Sequence, residues 1–187
     1  PGIELVLKDS LPDEVLPQVR SGAADLGIGT FRRTEAELQH TQLFEESLVA
    51  IFPVDHPFAR ARRLPWGRLE RERVLTLPRG SVFRELAERG CNAAGMTLDP
   101  AGEATYVGTL IGLVSAGQGV GIVPGYATAL ADPRVIAWKP LQDPVVRREV
   151  SIVHRATVAV SPAAQAFMDF VLGHAGIRRL RRTSAKD

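Results

Sequence analysis

The stretch from Glu103 to Pro124, EATYVGTLIGLVSAGQGVGIVP, constrains this chain most. Val107, Leu110, Ile111 and Val114 fall at i, i+3, i+4 and i+7, which predicts one apolar face of a helix. Small residues flank that face: Gly108, Gly112, Ser115, Ala116 and Gly117. They let another backbone approach closely, although glycine weakens a helix. Gly117 and Gly119 can each take the left-handed conformation that ends one. Val120 to Val123 then reads as a short buried strand closed by Pro124. The helix has a polar start. Thr105, Tyr106 and Thr109 lie near its first turn, where backbone N–H groups lack partners and the helix dipole is positive. Such an end can hold an anion. The plainer reading is that Thr105 only caps the helix.

Composition narrows the class. The chain has 187 residues, 45% hydrophobic and 24% charged, enough for one or two cores. A formal net charge of +2 gives the bulk of the chain no nucleic-acid footprint. A single cysteine, Cys91, excludes an internal disulfide and has no histidine partner for thiol catalysis; it reads as a semi-buried helix residue. No apolar run approaches the ~18 residues of a membrane helix. There is neither an initiator methionine nor a signal peptide, and Pro1 leads almost directly into a strand, so a fragment of a longer protein is expected.

In chain order, Ile3–Leu7 reads as a first strand. Ser10 is placed to cap a helix, with Asp13 at N3. Leu11, Val15 and Val19 form that helix's stripe, Pro17 should kink or shorten it, and Gly22 ends it. Asp25–Gly29 reads as a buried parallel strand. Strand, helix and strand would make a βαβ unit with the loops at Ser10 and at 30–33 on one carboxyl edge of the sheet, where open α/β sheets bind ligands. Thr34 to His40 reads as loop or a helical turn. Ser47–Phe52 and Val74–Leu77 read as strands. His56 is a lone loop histidine, and the basic run Arg60, Arg62 and Arg63 reads as a solvated loop rather than a nucleic-acid patch. After Pro78 come Arg79, Gly80 and Ser81, with Ser81 a plausible cap for a helix burying Val82, Phe83, Leu86 and Ala87. Arg79 is either a surface residue or a bidentate partner for a carboxylate. A short helix over 125–131 follows, then strands over 134–138 and 149–154. Ser161 and Pro162 open a last helix burying Ala163, Ala164, Phe167, Phe170 and Val171. The basic tail Arg178–Arg182 reads as a frayed terminus, with weak DNA contact left open.

The chemistry census is negative. There is no P-loop, no G-x-G-x-x-G after a strand, no G-x-S-x-G elbow and no metal-ligand cluster. The acidic pairs Glu45–Glu46 and Glu70–Glu72 read as solvated edges. No enzyme, no cofactor and no metal are expected. One device recurs: Ser10, Ser81 and Thr105 each place a small hydroxyl at a strand-to-helix junction, and three ordinary caps would leave the same trace. Arg32, Arg33 and Arg79 favour an anionic ligand.

Several segments carry a resemblance. LVSAGQGVGIVP (113–124) is similar to the LV-(A/S)-AG-x-G-(I/V)-x-(I/L)-(V/L)-P signature of the effector-binding domain of LysR-type transcriptional regulators. Leu16–Ile28 resembles the family's L-x-x-L-x-x-G-x-x-D-L-(A/G)-(I/L), with Val19 for leucine. Glu45–Phe58 resembles E-x-L-x-x-(V/L)-x-P-x-x-H-P-L, with Phe58 for leucine. Leu141–Arg155 and Ser161–Phe167 match the family's end in order and spacing. The resemblance implies an α/β fold like type 2 periplasmic binding proteins, with a ligand cleft between two subdomains: 1–48 plus 147–187, and 49–146, with crossover strands near 47–52 and 137–148. It implies cleft residues at Ser10, Thr30, Gly80, Ser81, Thr105 and Thr109, which Arg79 joins. It also implies a small organic effector, an anion; self-association into a dimer or tetramer; DNA binding only through an absent N-terminal domain; no membrane contact; and a cytoplasmic, bacterial regulator. The family's first strand and helix are expected to precede Pro1. A solute-binding protein of a transport system with the same fold is the alternative; an enzyme on this fold would need the acid–base cluster that is missing.

Overall fold

The computed structural model describes residues 2–10, 12–31 and 37–174. Its helices are α1 (Pro12–Ser21), α2 (Val82–Ala93), α3 (Val107–Ser115) and α4 (Pro162–Gly173). Its strands are β1 (Gly27–Gly29), β2 (Leu38–Pro53), β3 (Leu64–Pro65), β4 (Val74–Thr76), β5 (Gly102–Glu103), β6 (Val120–Pro124), β7 (Ile136–Gln142) and β8 (Arg147–Arg155). The chain divides into two compact units, one of residues 1–45 and 149–187 and the other of Glu46–Arg148, so β2 and β8 run through both.

The second unit is a three-layer sandwich, and β2 shows why. Its apolar run continues without polar interruption from Leu48 to Phe52, as in a strand covered on both faces. Leu48, Ala50 and Phe52 point to one core with Trp66, Leu86 and Cys91; Val49 and Ile51 point to the other with Leu75, Leu110 and Val114. Thus α2 covers one face and α3 the opposite one. β6 lies parallel to β4, which lies parallel to β5, while β2 joins β6 and β7 antiparallel. Gly121 lets α3 settle on the sheet: a Cβ there would stand 2.5 Å from Leu110. Each fully buried Phe, Leu or Ile contributes roughly 1.5–3 kcal/mol.

In the first unit β1 pairs antiparallel with β8 (Gly27↔Val153). Val19 of α1 packs with Leu38 and Val153, and Met168 of α4 with Leu43, Val150 and Ile152. Here several expectations fail. Residues 3–7 form no strand, and Leu5, Val6 and Leu7 are exposed, because no neighbouring strand takes up their backbone groups among the described residues. The βαβ unit is therefore absent, and β1 is three residues long and antiparallel rather than parallel. α1 runs through Pro17, which faces solvent. It starts at Pro12, so Ser10 lies ahead of the cap position; Leu11 and the side chain of Asp13 lie outside the described residues. Residues 38–40 belong to β2, not to a loop, and 34–36 are outside the description. In α4 the helical turn exposes Ala163 and Phe170 and buries Met168 instead. The 125–131 helix is a 3₁₀ turn over Gly125–Ala129, and the 134–138 strand runs later, over 136–142, taking in Pro140.

Ser161 caps α4 by accepting from the Ala164 N–H (3.2 Å). His56 accepts from the Phe58 N–H and sits 3.4 Å from Glu72, a structural role. Cys91 is fully buried on α2, and burial pushes its thiol from 9.0 to about 11, against the pull of Arg84. The folded chain thus holds this proton above the pH at which the unfolded chain loses it. Stability is expected to fall as pH rises from about 9 towards 11, and Cys91→Ala should flatten that fall, as read from urea midpoints across the range.

Candidate functional site

The parallel register of β4 and β5 (Leu75↔Gly102, Thr76↔Glu103) brings their carboxyl ends together. From the first, the chain turns through Pro78, Arg79 and Gly80 into α2; from the second, through Ala104 and Thr105 into α3. Two helix N-termini therefore open at one sheet edge: Arg79, Gly80 and Ser81 lead into α2, Thr105 precedes α3, and Thr109 lies in the first turn of α3. An Ala104 N–H···O Thr76 bond (3.0 Å) closes the junction. Arg84 of α2 donates to Glu103 (2.7 Å) and to Glu88 (2.8 Å), tying the α2 start to the end of β5.

The two ends differ. Ser81 caps α2: its hydroxyl accepts from the Arg84 N–H (3.2 Å) and donates to the Pro78 carbonyl (2.8 Å). Gly80 takes φ +85, and a Cβ there would meet nothing within 4 Å, so glycine serves the turn rather than a packing need. Arg79 is exposed. Thr105 is no cap. α3 has Tyr106 at that position, with no side-chain cap bond, and Thr105 and Thr109 are exposed. The first N–H groups of α3 therefore have no capping side chain.

Beside this edge lies a cluster that sequence reasoning missed. Arg148 is buried; its guanidinium lies 4.7 Å from the Phe83 ring and 5.3 Å from the Tyr126 ring, and it pairs with Glu46. Glu46 also accepts the Tyr126 N–H (2.7 Å). Glu46 is thus a largely shielded ion-pair partner rather than a solvated edge. An acidic pair ahead of an apolar strand looks like a wet strand end, and its cation stands 102 residues away.

The other two expected residues belong to the first unit. The Ser10 hydroxyl accepts from Gln18 Nε2 (3.2 Å), and Thr30 donates to the Glu149 carbonyl (2.9 Å). Ser10, Val15, Gln18, Ile28 and Phe167 help line a cavity of about 450 Å³ between residues 3–9 and 23–28; Thr30 does not. Arg32 and Arg33 lie outside the described residues. Among the described residues no cluster of His, Cys, Asp or Glu could hold a metal, and no helix is long and apolar enough to cross a membrane.

Comparison with known proteins fits this architecture. The family described as LysR substrate binding domain matches residues 1–176. The transcriptional dual regulator GltC of Bacillus subtilis (strain 168) is 29% identical over 173 residues, 92% of this chain and 58% of the relative. With 54% of another regulator covered, the chain spans little more than half the length of the curated relatives it matches. The CcmR regulatory domain of Synechocystis PCC6803 in complex with 2-PG superposes with TM-score 0.81 at 20% identity, covering 92% of this chain and 83% of that one. The effector-binding domain of QuiR in complex with shikimate gives TM-score 0.76 at 19% identity, with 92% and 79% covered. The fold is thus that of LysR effector-binding domains, type 2 periplasmic-binding-like, with an open mixed sheet. The family match takes in both units, and the chain belongs to the LysR substrate binding domain family.

Proposed function

We propose that the chain is the effector-sensing part of a LysR-type DNA-binding transcriptional regulator, working in the cytoplasm as a dimer or tetramer and not as an enzyme. The effector is a small organic anion held at the paired N-termini of α2 and α3. The observation that carries this is the convergence at one sheet edge of two helix starts, one of them without a capping side chain, beside the exposed Arg79. N–H groups and helix dipoles there favour negative charge. Gly80, Ser81, Thr105 and Thr109 supply room and hydroxyls, and Arg79 a bidentate cation. The 2-PG of the CcmR structure and the shikimate of the QuiR structure support a small-molecule effector. Ser10 and Thr30 remain tied to the family resemblance. Effector binding would control transcription by favouring one of two preformed arrangements of the whole protein.

Thermal unfolding against a panel of hydroxylated carboxylates, aromatic acids, amino acids and sugars tests the reading. An acid that binds only the folded chain should stabilise it by ~2.7 kcal/mol at a hundredfold excess over Kd. Ser81→Ala should lose a cap, worth about 1 kcal/mol, together with the ligand shift; Ser161→Ala should lose a similar cap and keep the shift. A shift given only by neutral sugars, or one indifferent to Ser81→Ala, would contradict the proposal.

A further inference from the structure

Charge is unevenly placed on the second unit. Between Ala59 and Arg73 lie six arginines and two glutamates, a net +4 in a chain whose total is only +2, so the remaining residues are net acidic. All six arginines, Arg60, Arg62, Arg63, Arg68, Arg71 and Arg73, are exposed. Their backbone is held down by the fully buried Phe58, Leu64, Trp66 and Leu69, which makes the segment a fixed platform rather than a loose loop. Arg63 is paired with Asp143 (3.1 Å), Arg68 lies over the Phe58 ring (5.6 Å), and Arg73 Nε donates to the Gln118 carbonyl (3.4 Å). Among the described residues Arg60, Arg62 and Arg71 have no ion-pair partner. Arg68 and Arg71 are three residues apart on a 3₁₀ helix, Trp66–Arg71, which stacks them on one line about 6 Å apart.

We propose that this arginine face contacts the phosphate backbone of duplex DNA without reading its sequence. Arg60, Arg62 and Arg63 alone fit a solvated loop; the fold adds Arg68, Arg71 and Arg73 on a base anchored by buried side chains. The platform carries cations and few polar groups that could read base edges, and the guanidinium fork fits a phosphate. The choice of DNA over other polyanions rests on the regulatory reading above, in which the duplex is within the full protein's reach.

The test titrates the 187-residue chain into a fluorescent 20-base-pair duplex of arbitrary sequence at several salt concentrations. Four or five phosphate contacts predict weak binding, with Kd on the order of 10⁻⁵ M at low salt, and a log–log salt slope of roughly −4. Arg60→Gln with Arg62→Gln, and separately Arg68→Gln with Arg71→Gln, should each lower affinity about tenfold and flatten the slope by about 2. The thermal midpoint should stay in place in both. Arg178, Arg179, Arg181 and Arg182 changed together to glutamine should leave most of the binding. Loss in that tail variant with none in the platform variants overturns the proposal. So does binding to phosphatidylglycerol vesicles but not to duplex. Effector shifts measured on the same variants are expected to be unchanged, so failure here and failure of the sensing reading are separately visible.

Discussion

Arg148→Met is expected to cost about 3–5 kcal/mol of folding stability. Arg148 is 6% exposed and Glu46 9% exposed, so both charges are largely shielded from bulk water. The guanidinium satisfies Glu46 and lies against two aromatic rings, Phe83 and Tyr126. Removing it leaves the largely shielded Glu46 carboxylate with the Tyr126 N–H but without its cation, and an uncompensated shielded charge is far more costly than a lost contact. The double change Arg148→Met with Glu46→Gln should recover a large part of the loss, because it removes both charges. Urea midpoints at constant m-value read both effects. A loss under about 1 kcal/mol for the single change would mean that water reaches the pair and that the cluster is not a fixed part of the core.

Gly119→Ala is expected to be nearly as damaging, for a backbone reason. Gly119 has φ +154, a conformation that L side chains rarely adopt. A Cβ there would lie 2.1 Å from the Arg73 carbonyl oxygen, which also accepts the Val120 N–H at 2.9 Å as β6 begins. The clash is with main chain, so no rotamer relieves it. Either β6 shifts against β4 or the hydrogen bond is lost, at a combined cost of roughly 3–5 kcal/mol. Gly117→Ala, also at positive φ (+72) but with nothing within 4 Å of its Cβ, should cost only about 1–2 kcal/mol. Equal losses at the two positions would show that strain alone, and not the approach of Arg73, sets the requirement at Gly119.

Much of the second unit was legible because its signals are local. The i, i+3, i+4, i+7 face at Val107–Val114, the cap at Ser81 and the apolar run of Ser47–Phe52 all depend on residues a turn or a pleat apart, and all three elements form. What failed depends on partners distant in the chain. Ile3–Leu7 has strand composition, but a strand exists only with a neighbour. Phe170 has the hydrophobicity of a core residue, yet its position on the α4 circumference is the solvent side, and Met168 fills the core. Nothing in the sequence distinguishes Glu46 from Glu45 without its distant cation. Of the candidate site, the grouping of residues 79–81 with Thr105 and Thr109 follows from the βα pattern, since parallel strands place their following helices at one edge. The role of Thr105 did not follow, because Tyr106 rather than Thr105 takes the cap position.

The central claim, an anion held at the paired N-termini of α2 and α3, is tested most directly by amide NMR. An acid found to stabilise the chain would be titrated into ¹⁵N-labelled protein while each backbone N–H is followed. The account predicts the largest shifts at Gly80, Ser81 and Val82 and at Thr105, Tyr106 and Val107, with smaller ones at Phe83 and Tyr126 through Arg148. Shifts confined to residues 3–9 and 23–28, around the cavity of the first unit, would contradict it and move the effector there.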